Sequence, residues 1–180
     1  MARVNPDTLN LTESVVKTNR VQKTHKGGRT MSWNSLVVVG DGDGHVGAGL
    51  GKARAIPDAV RKGTEDARKR LIKVPILGHT IPHDVVASFG SSTVVLHPAA
   101  PGTGVVAGTA CRAILVAAGV QDVLAKCIGS TNAINVAWAT IKALQSLRRV
   151  EDVASMRGKD PAKLVPWARK YGVGESEAAE

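Results

Sequence analysis

Apolar positions in the first part of the chain come in short runs broken by glycine and polar clusters, a strand pattern rather than a helical one. Val15–His25 is predicted as a strand, Lys26-Gly27-Gly28-Arg29 as a hairpin tip, and Thr30–Val39 as the returning strand. Adjacent glycines suit such a tip because they supply the positive φ of tight turns. Gly40-Asp41-Gly42-Asp43-Gly44 reads as a second turn and Val46–Gly51 as a third strand. The period then changes. Pro57-Asp58 opens a helix with the apolar stripe Ile56, Val60, Ala67 and Leu71, and Pro75 is expected to end it. A second unit begins near Ile76, with strands at Thr80–Phe89 and Thr93–His97 around Gly90-Ser91-Ser92. The loop Pro98–Gly104 feeds an apolar helix expected from about Val105 to Ala118, closed by Gly119. Asp122–Ile128 follows as a strand, and Thr131 or Asn132 caps a helix with Ile134, Ile141 and Leu144 inward. A short helix is expected near Glu151–Met156, and no internal repeat is visible. The pattern therefore divides the chain into an arm (1–13), a β-β-β-α unit (14–75), an α/β unit (76–158) and an extension (159–180). The acidic, small-residue tail from Gly172 is expected to be disordered.

Composition sharpens this picture. The 180 residues are 43% hydrophobic but only 3% aromatic, so the core must be built of Val, Ala, Leu and Ile. A net charge of +9 points to a polyanionic partner such as RNA, DNA or an acidic membrane. The charge is concentrated: residues 1–75 hold 14 Lys/Arg against 7 Asp/Glu. No acid occurs between Ser14 and Gly40, where Lys17, Arg20, Lys23, Lys26 and Arg29 fall. A solvated face normally mixes signs, so this stretch is the strongest binding signal in the chain. Arg54, Arg61 and Arg68 recur at heptad spacing on the helix, with Lys62 and Lys69 beside them; Asp58–Lys62, Glu65–Lys69 and Asp66–Arg70 could equally pair across one turn. Base-stacking readers of single strands need aromatic platforms, and the first unit has only Trp33, which favours structured RNA bound through its backbone. The N-terminus lacks a signal-peptide core, and no run approaches the ~18 apolar residues of a membrane span. A soluble, cytoplasmic protein is expected, with Cys111 and Cys127 as reduced thiols in apolar surroundings.

Several motifs invite a catalytic reading. Gly42-x-Gly44-x-x-Gly47 fits a dinucleotide fingerprint, but that motif needs its last glycine to open a helix. Gly47, Gly49 and Gly51 instead recur at spacing two, on one face of a strand, where a bare surface lets RNA or a neighbouring backbone approach. A P-loop fails because Val46 and Ala53 stand where a glycine and a hydroxyl are required, and a calcium loop fails at Val46 and Lys52. Pro101-Gly102-Thr103-Gly104-Val105-Val106-Ala107-Gly108 is similar to the phosphate loop of the small-molecule kinases that include galactokinase; the alternative is a tight packing loop. His79, His83 and His97 lack further ligands at zinc spacing. Neither metal, cofactor nor catalytic residues are expected.

"NRVQKTHKGGRTMSWNSLVVVGDGDGHVGAGLGKARAIPDAVRKGTEDARKRL" closely resembles the N-terminal domain of bacterial small-subunit ribosomal protein five, and "PGTGVVAGTACRAILVAAGVQDVLAKCIGSTNAINVAWATIKAL" its C-terminal domain. The resemblance runs from about Asn19 to Gly158. It implies an α+β fold, with a double-stranded-RNA-binding-like β-β-β-α domain followed by a two-layer α/β domain shared with those kinases. It further implies a structural constituent of the small subunit that binds its ribosomal RNA, supports assembly and decoding accuracy, and lines the path by which messenger RNA enters. The expected RNA contacts are Lys17, Arg20, Lys23, Lys26, Gly27, Gly28, Arg29, Lys52, Arg54, Arg61 and Arg68. The tip at Lys26–Gly28 would lie near the spectinomycin site. Gly104, Gly108 and Arg112 would meet small-subunit protein four at an accuracy-tuning interface, and protein eight is a further expected neighbour. The family often carries aromatics at Ala48 and Leu50, a proline at Ala133 and an arginine at Trp138, which puts individual RNA contacts at those positions in question. A small-molecule kinase and a free double-stranded-RNA-binding regulator remain as competing readings at the level of sequence.

Overall fold

The computed structural model describes residues 9–160 and Leu164. Most of the arm expected over 1–13 and the acidic tail lie outside the described residues. The first sheet is antiparallel in the order β1 (Thr12–His25), β2 (Gly28–Gly40), β3 (His45–Ala53), β4 (Ile72–Lys73), with helix α1 (Ile56–Lys69) between its last two strands. The second sheet runs in the order β5 (Val85–Phe89), β6 (Ser92–Pro98), β8 (Val123–Gly129), β7 (Val105–Val106), of which only the β7–β8 pair is parallel. Helices α2 (Thr109–Ala117), α3 (Ala133–Ser146) and α4 (Val150–Arg157) complete the fold.

Strands β1 to β3 fall close to where the pattern put them. The hairpin turn is tighter than expected: Lys26 and Gly27 alone form the loop, and Gly28, at φ 145°, is the one glycine of the pair with positive φ. Helix α1 ends at Lys69, before Pro75, because the chain must return as β4 beside His45 and Val46. Its buried face is Ala59, Gly63, Thr64 and Ala67, whereas Ile56 is exposed. The cause lies across the interface. A Cβ on Gly47, Gly49 or Gly51 would collide with the carbonyl oxygens of Ala67, Gly63 and Ala59 respectively. The bare strand face is thus filled by the helix backbone, which is drawn so close that only small residues fit beneath it.

In the second unit the first strand starts at Val85, since Leu77 and Thr80 are occupied in an isolated bridge. The helix expected from Val105 starts only at Thr109, because Val105 and Val106 pair with Val123 and Leu124 as β7. Asn132 caps α3 as expected, its Oδ1 accepting from the Ile134 N–H at 3.2 Å.

One core joins the two sheets. Leu36, Val38, Val46 and Ala48 on the face of the first sheet opposite α1 are buried with Ile114, Leu115 and Ala118 of the α2 region. The β2–β3 turn closes this contact: the Gly42 and Gly44 N–H groups donate to the Ala117 and Ala118 carbonyls at 3.1 and 2.9 Å. They satisfy acceptors that the last turn of α2 leaves open. Ala48 is 1% exposed in this core, so its departure from an aromatic changes packing and not an RNA contact.

Candidate nucleic-acid interface

Strands β1 and β2 together form a ribbon that outruns the rest of the sheet. Residues 22–31 are exposed throughout, and at ~3.3 Å per residue the tip projects about 15 Å. Cross-strand register fixes which side chains share a face. Lys17 lies opposite Leu36, and Lys23 opposite Thr30, on the side that packs against α2 lower down. Arg20 lies opposite Trp33, and Arg29 opposite Thr24, on the side that packs against α1. A register shift between Val15 and Lys17 turns Val16 inward against the shared core and leaves Lys17 at a cleft of about 460 Å³. Gly108 and Thr109, at the start of α2, line the same cleft.

Most of the expected cations are free. The side chains of Lys17, Lys23, Lys26, Arg29, Lys52, Arg54 and Arg61 make no hydrogen bond or ion pair among the described residues. Lys52 pairs in register with Asn34, which puts it on the same face as Lys17, and Arg54 follows directly after β3. Two expected contacts are already engaged. The Arg20 guanidinium donates to the Met31 sulfur. Arg68 donates to Glu13 Oε1 at 3.2 Å while the Thr64 hydroxyl donates to Glu13 Oε2 at 3.0 Å. Of the three pairings open to α1, only Asp66–Arg70 forms, at 3.1 Å.

Arg70 carries a contact that sequence reasoning missed. Its guanidinium carbon lies 4.9 Å from the centroid of the Trp138 ring on α3. Asp66, its ion-pair partner, also accepts from the Leu50 N–H at 3.2 Å, so strand, helix and second unit are linked through one carboxylate. Trp138 therefore has an intramolecular partner. A cation and an aromatic on separate elements leave no periodic signal, so only the folded chain reveals the pair.

The second group of expected residues forms a compact corner. Gly104 has φ 73°, and its N–H donates to Asp122 Oδ1 at 2.8 Å while its carbonyl accepts from Val123 at 3.2 Å. Arg112 reaches back from α2 to donate to the Val105 carbonyl at 2.9 Å. Gly108 is the N-cap of α2 and supplies no side-chain cap. The kinase-like loop is thus a turn followed by a strand, pinned by Asp122, and its glycines are not gathered at one helix start. In the sequence Asp122 read only as the first residue of a strand; the strand itself starts at Val123.

Neither cysteine is poised for nucleophilic chemistry. Burial pushes the Cys111 thiol up to about 12, a Thr140 hydrogen bond offsetting only part of the effect, and burial raises Cys127 as well. Both stay protonated near neutrality and are poor nucleophiles. His83 donates from Nδ1 to the Asp84 carbonyl and accepts at Nε2 from the Arg148 N–H, and His97 pairs with Asp84. Among the described residues no group of three metal-ligating side chains is found. No helix of the described residues is long and apolar enough to cross a membrane.

Comparison with known proteins agrees with this geometry. Residues 11–75 match the family model for the N-terminal domain of ribosomal protein S5, and residues 87–157 match that for its C-terminal domain. The chain is 52% identical over 177 residues to the small ribosomal subunit protein uS5 of Chloroflexus aurantiacus, covering 98% of both chains. With an α+β fold of two sheets, a row of unpaired cations, and both halves matched in order, this chain belongs to the ribosomal protein S5 family, as a structural component and not an enzyme.

Proposed function

We propose that this ribosome-bound protein of the cytoplasm is held in the small subunit chiefly by its first sheet, with ribosomal RNA as the partner. The observation that carries the reading is the run of cations from Lys17 to Arg29, continued by Lys52 and Arg54, most of them without an intramolecular partner and with no acid between Ser14 and Gly40. Phosphate contacts by such residues release counterions, so binding is steeply salt-dependent. Co-sedimentation of the full chain with small subunits through a high-salt cushion tests residence. A resident protein stays in the pellet, and a transient regulator is stripped.

The finer assignments follow from the family resemblance. The exposed tip at Lys26–Gly28 is read as an RNA-seated loop beside the spectinomycin site. The corner of Gly104, Gly108 and Arg112 is read as the contact with small-subunit protein four that tunes decoding accuracy. Contact with protein eight, support of assembly, and a place on the path by which messenger RNA enters complete the reading. Two findings bear on the accuracy corner. A Cβ on Gly104 would meet open space, yet its φ of 73° strains any side chain. Gly104→Arg therefore mixes loop strain with surface change, whereas Arg112→Gln removes an exposed guanidinium and its one hydrogen bond to the Val105 carbonyl without straining the backbone. Both are expected to raise stop-codon readthrough in a reporter with the protein still incorporated; unchanged readthrough in Arg112→Gln at full incorporation would count against the interface.

A further inference from the structure

Helix α4 has less cover than a helix of its length requires. Its eight residues are too few to stay helical in water by propensity, so it depends on a packed face. Yet Ala154 is its only buried residue, and Arg149 gives its N-terminus no side-chain cap. Met156, 78% exposed, stands almost wholly in solvent. Open space flanks the helix on two sides. One cleft, of about 280 Å³, is lined by Val150, Val153 and Arg157 together with Pro82 and His83. The other, of about 480 Å³, is lined by Val153 and Met156 together with Pro75, Leu144 and Leu147. Leu164, a short way past the Gly158 cap, already lines the first cleft.

The sequence that follows carries the side chains to fill both. After Leu164 come Val165, Trp167 and Tyr171, and the last two are among only five aromatic residues in the chain. Such side chains bury ~150–250 Å² each. Three residues of extended chain span at most ~10 Å, so Trp167 is within reach of the cleft that Leu164 lines. Seven residues span roughly 23 Å, enough for Tyr171 to cross a helix ~10 Å wide and enter the second cleft. Charge agrees. Arg148, Arg149 and Arg157 border the clefts and make no ion pair among the described residues, while Glu175, Glu177 and Glu180 follow the apolar stretch. We propose that residues 165–171 dock across α4, with Trp167 against Pro82 and His83 and Tyr171 beside Met156. This contact within the chain is what fixes α4 on the second unit, and it does not depend on the RNA-binding reading above.

Hydrogen exchange of the full chain, followed by mass spectrometry, tests the docking. Exchange at residues 165–171 is expected to be at least about tenfold slower than in a synthetic peptide of the same sequence. Trp167→Ser is expected to speed exchange both there and at Val150–Arg157 by about tenfold or more. Val153→Thr puts a hydroxyl into the facing wall and lies far from the segment in sequence. It is expected to free residues 165–171 in the same way, and it keeps the test decisive if the Trp167 variant unfolds more widely. Exchange of residues 165–171 at the peptide's rate in the unsubstituted chain overturns the proposal. So does a Val153→Thr chain in which they stay protected, because the segment then packs elsewhere. Protection that grows with protein concentration assigns the clefts to a second copy of the chain, and protection found only in assembled small subunits assigns them to a neighbouring component. Either result also overturns it.

Discussion

The Asp41 carboxylate ties the β2–β3 turn together from within. Its Oδ1 accepts from the Asp43 and His45 N–H groups at 2.8 and 2.9 Å, and its Oδ2 from His45 Nδ1 at 2.6 Å. Burial alone would raise its carboxyl, but these hydrogen bonds and the His45 ring outweigh burial and leave it below the ordinary 3.8. The native state therefore holds the proton more weakly than the unfolded chain does. The stability this supplies is complete above about pH 4 and is lost as pH falls through the depressed native value. Asp41→Asn is expected to cost about 1–3 kcal/mol at pH 7 and to flatten the acid limb of stability against pH, read by urea titration at several pH values. A variant that kept the full acid limb would show that other carboxylates carry it. Gly51 makes a comparable argument by size. Because a Cβ there would strike the Ala59 carbonyl, Gly51→Ala must lever α1 off the sheet, and a loss of ~2–3 kcal/mol is expected in the same titration. A loss under about 0.5 kcal/mol would mean that the helix yields without strain.

Among the elements, the hairpin was the most legible and the short strands the least. Long strands around a Gly-Gly turn carry their own signal. β4 and β7 are two residues each, held only by their neighbours, and local pattern cannot announce them. Of the apolar stripe read on α1, Ala67 is buried and Val60 packs beside it, whereas Ile56 is exposed: the glycines of β3 draw the helix in until small residues form its most buried face. The cations of the interface were visible as a run without acids, but their two-sided division required the register, and the engagement of Arg68 by Glu13 spans 55 positions. The hairpin tip also yields a sharp comparison. Gly28 sits at φ 145°, so Gly28→Asp strains the turn whatever surrounds it, while Gly27 has neither positive φ nor a neighbour within 4 Å. Lys26→Glu and Gly27→Asp are thus the clean substitutions. Each is expected to change folding by under ~1 kcal/mol while lowering spectinomycin inhibition of translation by purified ribosomes. Normal melting with unaltered inhibition would remove the tip from the drug site.

At the scale of the whole molecule, the two matched segments behave as one packed body. Leu36, Val38 and Val46 are at most 1% exposed, and they owe that to α2 and its neighbours, not to their own helix, which covers the opposite face. A fragment of residues 14–74 would return those side chains to water. At 1.5–3 kcal/mol for each, the cost is roughly 5 kcal/mol or more, as large as the entire stability of many small domains. The Gly42 and Gly44 caps on α2 and the Arg70–Trp138 stack would be lost with it. The fragment is therefore a poor vehicle for assigning RNA affinity, which belongs to charge substitutions in the intact chain. The same reasoning sets an expectation for the protein itself. Calorimetry of the full chain should show a single transition with equal calorimetric and van't Hoff enthalpies, because neither sheet can lose its partner and keep its core. Trp138→Arg, which replaces the ring with a charge like that of Arg70, should lower that one transition by a few degrees without splitting it, since the stack is worth ~0.5–1 kcal/mol beside a much larger apolar contact. Two resolved transitions in the native chain would mean that the shared core is an arrangement of two independent domains, and the fragment would then be expected to fold.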